Sequence, residues 1–234
     1  MRVDDEGGTR TLVVDETFAS FYRPGEISTY CVWDAIAAPL LWLPPKRRRR
    51  ILVLGLGGGS VARIARALAP EAEIVGVELD RDVIRLARQH FDLDTLGLKI
   101  EIADARKWLE KHDPRGSQAR TGTDRFDAIL EDVFVGEGDD VHKPDWIPDP
   151  AHRIAKALLA PGGILVSNTL DEKARITKVM RAQFASVVSI EVEDYDNRVL
   201  VAGGPRLSGA SLRGRVADSP ILAESLPIMN FRTR

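Results

Sequence analysis

Three carboxylates follow short β-branched runs in the middle of the chain: Glu78 in "VELD", Asp104 in "IADA" and Asp132 in "FDAILED". Ahead of them lies "LGLGGGS" (54–60), which sets Gly55, Gly57, Gly58 and Gly59 between a strand pattern and a helix pattern. Glycines at such a junction permit a tight turn and let a ligand approach the backbone. Glu78 stands about 20 residues beyond the first of them, where an acid accepts both hydroxyls of a ribose. Asp104, one strand–helix unit later, can accept from an adenine amino group while apolar neighbours hold the ring. Taken alone it reads as the N-cap of the helix running through Trp108, and Asp80 and Asp82 read as helix-start residues favoured by the helix dipole.

The stretch "FDAILEDVFVGEGDD" (126–140) begins as a buried strand and then releases five carboxylates, Glu131, Asp132, Glu137, Asp139 and Asp140. A cation meeting one carboxylate at about 4 Å near a protein surface gains up to ~4 kcal/mol before desolvation. A polycation therefore suits that loop. For Glu137, Asp139 and Asp140 a solvated loop of mutually repelling charges is an equally good reading.

The elements that must position these groups follow from periodicity. Residues 51–54, 74–77, 99–102, 128–130 and 164–166 are short apolar or alternating runs. The segments between them carry helical spacing, as in Val61, Ile64, Ala65 and Leu68. That alternation predicts parallel strands joined by crossover helices. "VVSIEV" and "VLVA" are separated only by "EDYDN", too short for a crossover, so one of them runs antiparallel as a hairpin. The expectation is an α/β, Rossmann-like fold with a mostly parallel seven-stranded sheet ending in an antiparallel hairpin. AdoMet-dependent transferases use this arrangement, whereas a dinucleotide-binding sheet would continue with crossovers. Residues 1–28 read as a short β-hairpin remnant, 29–204 as the nucleoside-binding domain and 205–234 as an appended tail. Residues 29–43 predict a helix kinked near Pro39, and 110–124 a polar surface loop.

Composition narrows the class. The chain has 234 residues, 44% hydrophobic and 29% charged, enough for one substantial core. A net charge of -2 gives no global pull toward nucleic acid or anionic membrane. The run "KRRRR" (46–50) precedes a buried strand without interleaved aromatics and reads as a solvated lead-in. One cysteine, Cys31, excludes an internal disulfide framework, and no Cys/His spacing resembles a metal site. A reducing cytoplasm is the simplest home. The apolar stretch at 30–45 is broken by Asp34 and Pro39, so neither membrane insertion nor secretion is expected. Asp34 reads as a helix-surface acid.

The succession "VLGLGGGSVAR", "VGVELDRDVIRLAR", "IADARKWL", "FDAILED" and "LLAPGGILV" resembles the spermidine synthase, or polyamine aminopropyltransferase, family over about residues 51–202. "LVVDETFASFY" is similar to the end of that family's N-terminal β-domain. The resemblance implies a donor, decarboxylated AdoMet, whose aminopropyl group passes to a small amine such as putrescine, with no metal. It assigns Glu78 and the adjacent Leu79 to the nucleoside site, Asp104 and Ala105 to the adenine, and Asp132 to the attacking amine. It also suggests a homodimer.

Alkylamines with a pKa near ~10.4 must lose a proton to attack, at a cost of about 4.6 kcal/mol at pH 7. A carboxylate beside the site orients the amine and accepts that proton. Asp132 is the candidate, with Glu131 the alternate if the pleat faces the other way. Glu131, Glu137 and Trp146 are the expected acceptor-side residues, Trp146 reading equally well as a packing tryptophan.

Three positions depart from the family. Gly58 stands where its glycine loop carries an aspartate for the donor's terminal amine, and Val135 where the second aspartate of "DSSDP" or "DSTDP" belongs. An acceptor-holding glutamine falls near Ala19 or Ser20. The acid missing at Gly58 gives a first alternative, an AdoMet-dependent methyltransferase, because a carboxylate-free loop at a helix N-terminus better tolerates the carboxylate of intact AdoMet. A non-catalytic nucleoside-binding module is the second.

Overall fold

The alternation of apolar residues along each strand decides the layering. The computed structural model describes residues 1–115 and 125–234; part of the polar loop expected at 110–124 therefore lies outside the described residues. In β4 (Arg50–Leu54) Ile51 and Val53 face one apolar layer, while Leu52 and Leu54 face the other. Period-two alternation buried on both faces demands helices on both sides. α1 (Val32–Ala37), α2 (Ser60–Leu68) and α7 (Gly209–Ala217) cover the first layer, whereas α4 (Ala105–His112), α5 (Ala151–Leu158) and α6 (Lys173–Gln183) cover the second.

The other large-sheet strands are β5 (Glu73–Glu78), β6 (Lys99–Ile102), β7 (Phe126–Glu131), β8 (Leu159–Thr169), β9 (Ser186–Val192), β10 (Arg198–Gly203) and β11 (Met229–Thr233). They lie in the order β11-β9-β10-β8-β7-β4-β5-β6. Pairing is parallel from β6 through β8 and antiparallel at β8–β10, β10–β9 and β9–β11. The α/β fold class and the terminal hairpin are thus as expected, but the sheet has eight strands among the described residues. The extra strand, β11, comes from the stretch read as a tail. Its five residues "MNFRT" lie at an exposed edge and bury only Met229 fully, so no apolar run announced it.

The N-terminal residues form a three-stranded antiparallel meander, β1 (Arg2–Glu6), β2 (Thr9–Val14) and β3 (Thr17–Tyr22), where a hairpin was expected. β1, "RVDDE", is a charged edge strand and carries almost no hydrophobic signal. The meander packs on α3 (Arg81–His90) through Leu12, Tyr22, Val83 and Phe91. The helix expected across 29–43 is α1 followed by a 3-10 helix from Ala38 to Trp42, with Pro39 in its first turn. No helix among the described residues is long and apolar enough to cross a membrane.

Candidate active site

β4 lies between β5 on one side and β7 on the other, so chain direction around the sheet reverses there and a crevice opens at the carboxyl ends of the strands. Register brings the three acids to that one edge: Leu54 sits opposite both Val77 and Glu131, and Glu78 opposite Ile102. Two backbone contacts draw the strand ends together. The Asp132 N–H donates to the Leu54 carbonyl at 2.8 Å, and the Gly55 N–H to Val77 at 3.0 Å. Gly55 has φ +79°, and a Cβ on it would stand 2.5 Å from the Asp132 carbonyl oxygen. Only glycine satisfies both the left-handed turn and the close approach.

Glu78 is half-buried at the tip of β5. Its carboxylate accepts from the Gly57 N–H at 2.8 Å and from the Leu79 and Asp80 N–H groups at 2.9 and 3.1 Å. The acid therefore ties the glycine loop to the β5 turn. Asp104 is the N-cap of α4, its Oδ1 accepting from the Lys107 N–H at 2.9 Å. Ala105 begins that helix. Leu79 and Ile102, 67% and 44% exposed, present bare apolar side chains at the ends of neighbouring strands. Acids flanked by uncovered hydrocarbon suit a ligand with a flat apolar body and polar edges.

β3 lies over the glycine loop. The Ser20 hydroxyl accepts from the Gly58 N–H at 2.7 Å and donates to the Ala19 carbonyl at 2.5 Å, while Ser60 exchanges hydrogen bonds with the Phe21 backbone. A Cβ at Gly58 would meet the Ser20 Cβ at 2.8 Å and Phe91 at 3.2 Å. The space in which a side chain at 58 would begin is already filled, so an acid there requires the meander to shift. Gly59 completes the turn as the N-cap of α2.

Asp132 follows β7 and is half-buried. Its Oδ1 accepts from Asn168 Nδ2 at 2.8 Å, and the Trp33 indole also hydrogen-bonds the carboxylate. Burial pushes its carboxyl up to about 6, and the neighbouring Glu131 charge adds to the rise; Lys143, Asn168 and Trp33 pull the other way. A carboxylate poised this close to neutrality can exchange a proton at physiological pH.

Glu131 corrects an expectation, because it does not face an acceptor. It is 1% exposed and committed to fixed partners: Lys143 Nζ at 2.5 Å on Oε1, the Val133 N–H at 2.8 Å on the same oxygen, and Ser167 Oγ at 2.5 Å on Oε2. His152 Nε2 lies 3.7 Å from Oε2. Burial alone would raise this carboxyl, but Lys143 and His152 hold it down at about 2. The pleat decides the outcome, turning Glu131 into the protein and leaving Asp132 at the crevice.

Glu137, Asp139 and Asp140 are exposed and stand in no ion pair among the described residues. Their loop is a small hairpin closed by the Val135–His142 bridge, and its tip donates from the Gly138 N–H to the Asp15 carbonyl of the β2–β3 turn at 2.9 Å. Trp146 is half-buried against the apolar layer beneath α4 and α5, which gives it a packing role. Asp34 also differs from its reading as a surface acid. It is fully buried and accepts from the Thr29 N–H and hydroxyl, the Tyr30 N–H and the Ser225 hydroxyl, because the C-terminal segment covers it.

Four residues near the site went unsingled in the sequence: Trp33, Lys143, Ser167 and Asn168. "SNT" at 167–169 ends a buried parallel strand, the same signal that marked Glu78 and Asp132, and would have found two of them. Lys143 lies in an aperiodic loop and gives no such signal. The "KRRRR" run lies at the opposite pole. There Arg47 and Arg48 donate to backbone carbonyls, Arg50 pairs with Glu73 at 3.0 Å, and the Arg49 and Arg50 N–H groups bind Asp127. Lys46, Arg47, Arg49 and Asp127 border a hollow of about 460 Å³ there.

Comparison with known proteins follows the same outline. The family described as a methyltransferase domain matches residues 46–203. A polyamine aminopropyltransferase of Vibrio vulnificus is 29% identical over 172 residues, covering 73% of this chain and 52% of that protein. An eEF1A lysine and N-terminal methyltransferase homolog of Drosophila melanogaster is 26% identical over 166 residues, covering 67% and 24%. The chain thus spans about half, or less, of the length of these relatives. Among solved structures, a probable spermidine synthase from Corynebacterium glutamicum superposes with a TM-score of 0.75 at 20% identity, covering 98% of this chain and 86% of that one; at that identity the likeness is one of fold.

Proposed function

Because the chain belongs to the methyltransferase-domain family and is spermidine synthase-like in sequence, we propose that it moves a carbon group from an AdoMet-type sulfonium donor to the nitrogen of a small amine. The specific reading is aminopropyl transfer from decarboxylated AdoMet to a polyamine such as putrescine. The observation that carries it is Asp132, a half-buried residue whose carboxyl is raised to about 6 and whose peptide packs against Gly55 of the glycine loop.

When bound, the donor supplies an electrophilic carbon beside its sulfonium. Glu78 would hold the ribose, Asp104 and Ala105 the adenine edge, and Leu79 and Ile102 the ring faces. Asp132 orients the incoming amine and takes its proton, offsetting part of the roughly 4.6 kcal/mol needed to deprotonate an alkylamine at pH 7. The exposed Glu137, Asp139 and Asp140 add negative charge near the approach and speed the encounter with a cation, an effect that fades with salt.

A second reading is favoured by one contact. With Ser20 filling the space beside Gly58, the loop has no acid for a terminal amine, which suits intact AdoMet and methyl transfer to an amine instead. A turnover screen of amines with both donors tests both readings, supported by competition binding of AdoMet against its decarboxylated form. A preference for intact AdoMet of tenfold or more removes the polyamine reading; no turnover with either donor removes both.

Replacing Glu78 by Ala is expected to weaken donor binding by about 1.5–3 kcal/mol, the loss typical of charge-assisted hydrogen bonds. Calorimetric titration with the donor measures it, and unaltered affinity would reject the ribose assignment. The rate with saturating amine should also fall as pH drops through about 6, because Asp132 must be ionised to receive a proton. A profile flat from pH 5 to 8 would deny Asp132 that part.

A further inference from the structure

Behind Asp132 runs a directed chain of amides. Asn197, in the loop between β9 and β10, donates from Nδ2 to Asn168 Oδ1 at 3.1 Å, and Asn168, 2% exposed at the end of β8, donates from its own Nδ2 to Asp132 Oδ1 at 2.8 Å. The two ends of a side-chain amide are chemically different, so the order matters. With its oxygen engaged by Asn197, the Asn168 amide presents only its NH2 group to Asp132.

We propose that Asn168 and Asn197 are positioning residues that fix which oxygen of Asp132 works: Oδ1 is held as a permanent acceptor, and a proton leaving the amine is received on Oδ2. This rests on the reading of Asp132 as the group that faces the amine. The step balances simply. The amine N–H breaks, an O–H forms on Oδ2, and the nitrogen lone pair is released toward the electrophilic carbon. A donor bound to Oδ1 stabilises the carboxylate over the acid, so the pair also keeps Asp132 ionised at lower pH than its surroundings would otherwise permit. Around it, Lys143 acts in the same direction and the Glu131 charge in the opposite one, while the Trp33 indole on α1 adds a neutral donor.

The pair comes from one strand end and one loop outside the acid-bearing set. Asn168 sits opposite Val199 of β10, and Asn197 directly precedes that strand. The antiparallel hairpin thereby acts on the reacting group through one buried amide.

The test follows the Asp132 carboxyl carbon by NMR in protein labelled with ¹³C at aspartate carboxyls, its resonance identified by its loss in Asp132→Asn. The wild-type midpoint is expected near 6. Asn168→Ala should raise it by about one pH unit, the tenfold change in proton affinity typical of losing a hydrogen bond to a charged group. Asn197→Ala, in a half-buried loop position that leaves the sheet intact, should raise it by a smaller amount because the Asn168 amide is then free to turn. A midpoint unmoved or lowered in both variants overturns the proposal, even if both lose thermal stability. Because the readout needs no turnover, a shifted midpoint alongside a silent amine screen rejects the transfer reading, and the amine proton on Oδ2 with it, while an unmoved midpoint alongside an active screen rejects only the part given to Asn168 and Asn197.

Discussion

Replacing Asp132 by Asn is expected to lower kcat by about 10²- to 10⁴-fold, the contribution usual for a positioned general base, with donor affinity nearly unchanged. Geometry is preserved in this variant, since the new amide oxygen still accepts from Asn168 Nδ2 in place of Oδ1. What is removed is the acceptor for the proton. Stability should move the opposite way. A carboxyl raised from 3.8 to about 6 is one whose charged form the fold disfavours, so it costs stability fully above pH 6 and progressively less as pH falls toward 3.8. The neutral amide escapes that cost, and thermal unfolding at pH 8 should show a higher Tm than wild type. Single-turnover kinetics and a melting curve measure the two effects together. Loss of donor binding in parallel with turnover would show that Asp132 holds the nucleoside rather than the amine.

Lys143→Met is expected to destabilise the protein by about 3–5 kcal/mol, because it strands the fully buried Glu131 without its counter-charge. In a domain of this size that lowers Tm by roughly 10 °C. The pH dependence distinguishes electrostatics from packing. In wild type Glu131 is held down at about 2, so its contribution is complete above the ordinary value of 4.5 and is lost as pH falls through 2. Without Lys143, burial raises that carboxyl, and it protonates as pH drops. The Tm gap between variant and wild type should therefore narrow from pH 7 to pH 4, and adding Glu131→Gln should recover much of the loss at pH 7. A gap independent of pH would mean that Lys143 acts through its hydrocarbon stem alone.

The layered α/β order was legible because the parallel strands β4, β5 and β7 are buried on both faces and each crossover helix has one apolar side, so periodicity and layering are the same fact read twice. The acids at 78, 104 and 132 were legible for a related reason, since a charge directly after an apolar run marks the end of a parallel strand. What escaped were groups whose role depends on the orientation of a side chain. Glu131 and Asp132 are adjacent and chemically alike, and only the pleat sends one to Lys143 and leaves the other at the crevice. Asp34 looked like a surface acid because the cover that buries it, around Ser225, lies 191 residues away in the chain. The two unforeseen strands, β1 and β11, are polar edges, and an edge strand holds its place by backbone hydrogen bonds that leave no trace in hydropathy.

The bare Cα of Gly55 leaves the turn after β4 resting directly on the peptide of Asp132. The span from one rim of the crevice to the other is thereby a main-chain dimension, and exchanging side chains on either rim does not lengthen it. Recognition and reach are uncoupled: a scaffold of this kind can change the side chains that line the crevice while the distance across it stays as it was.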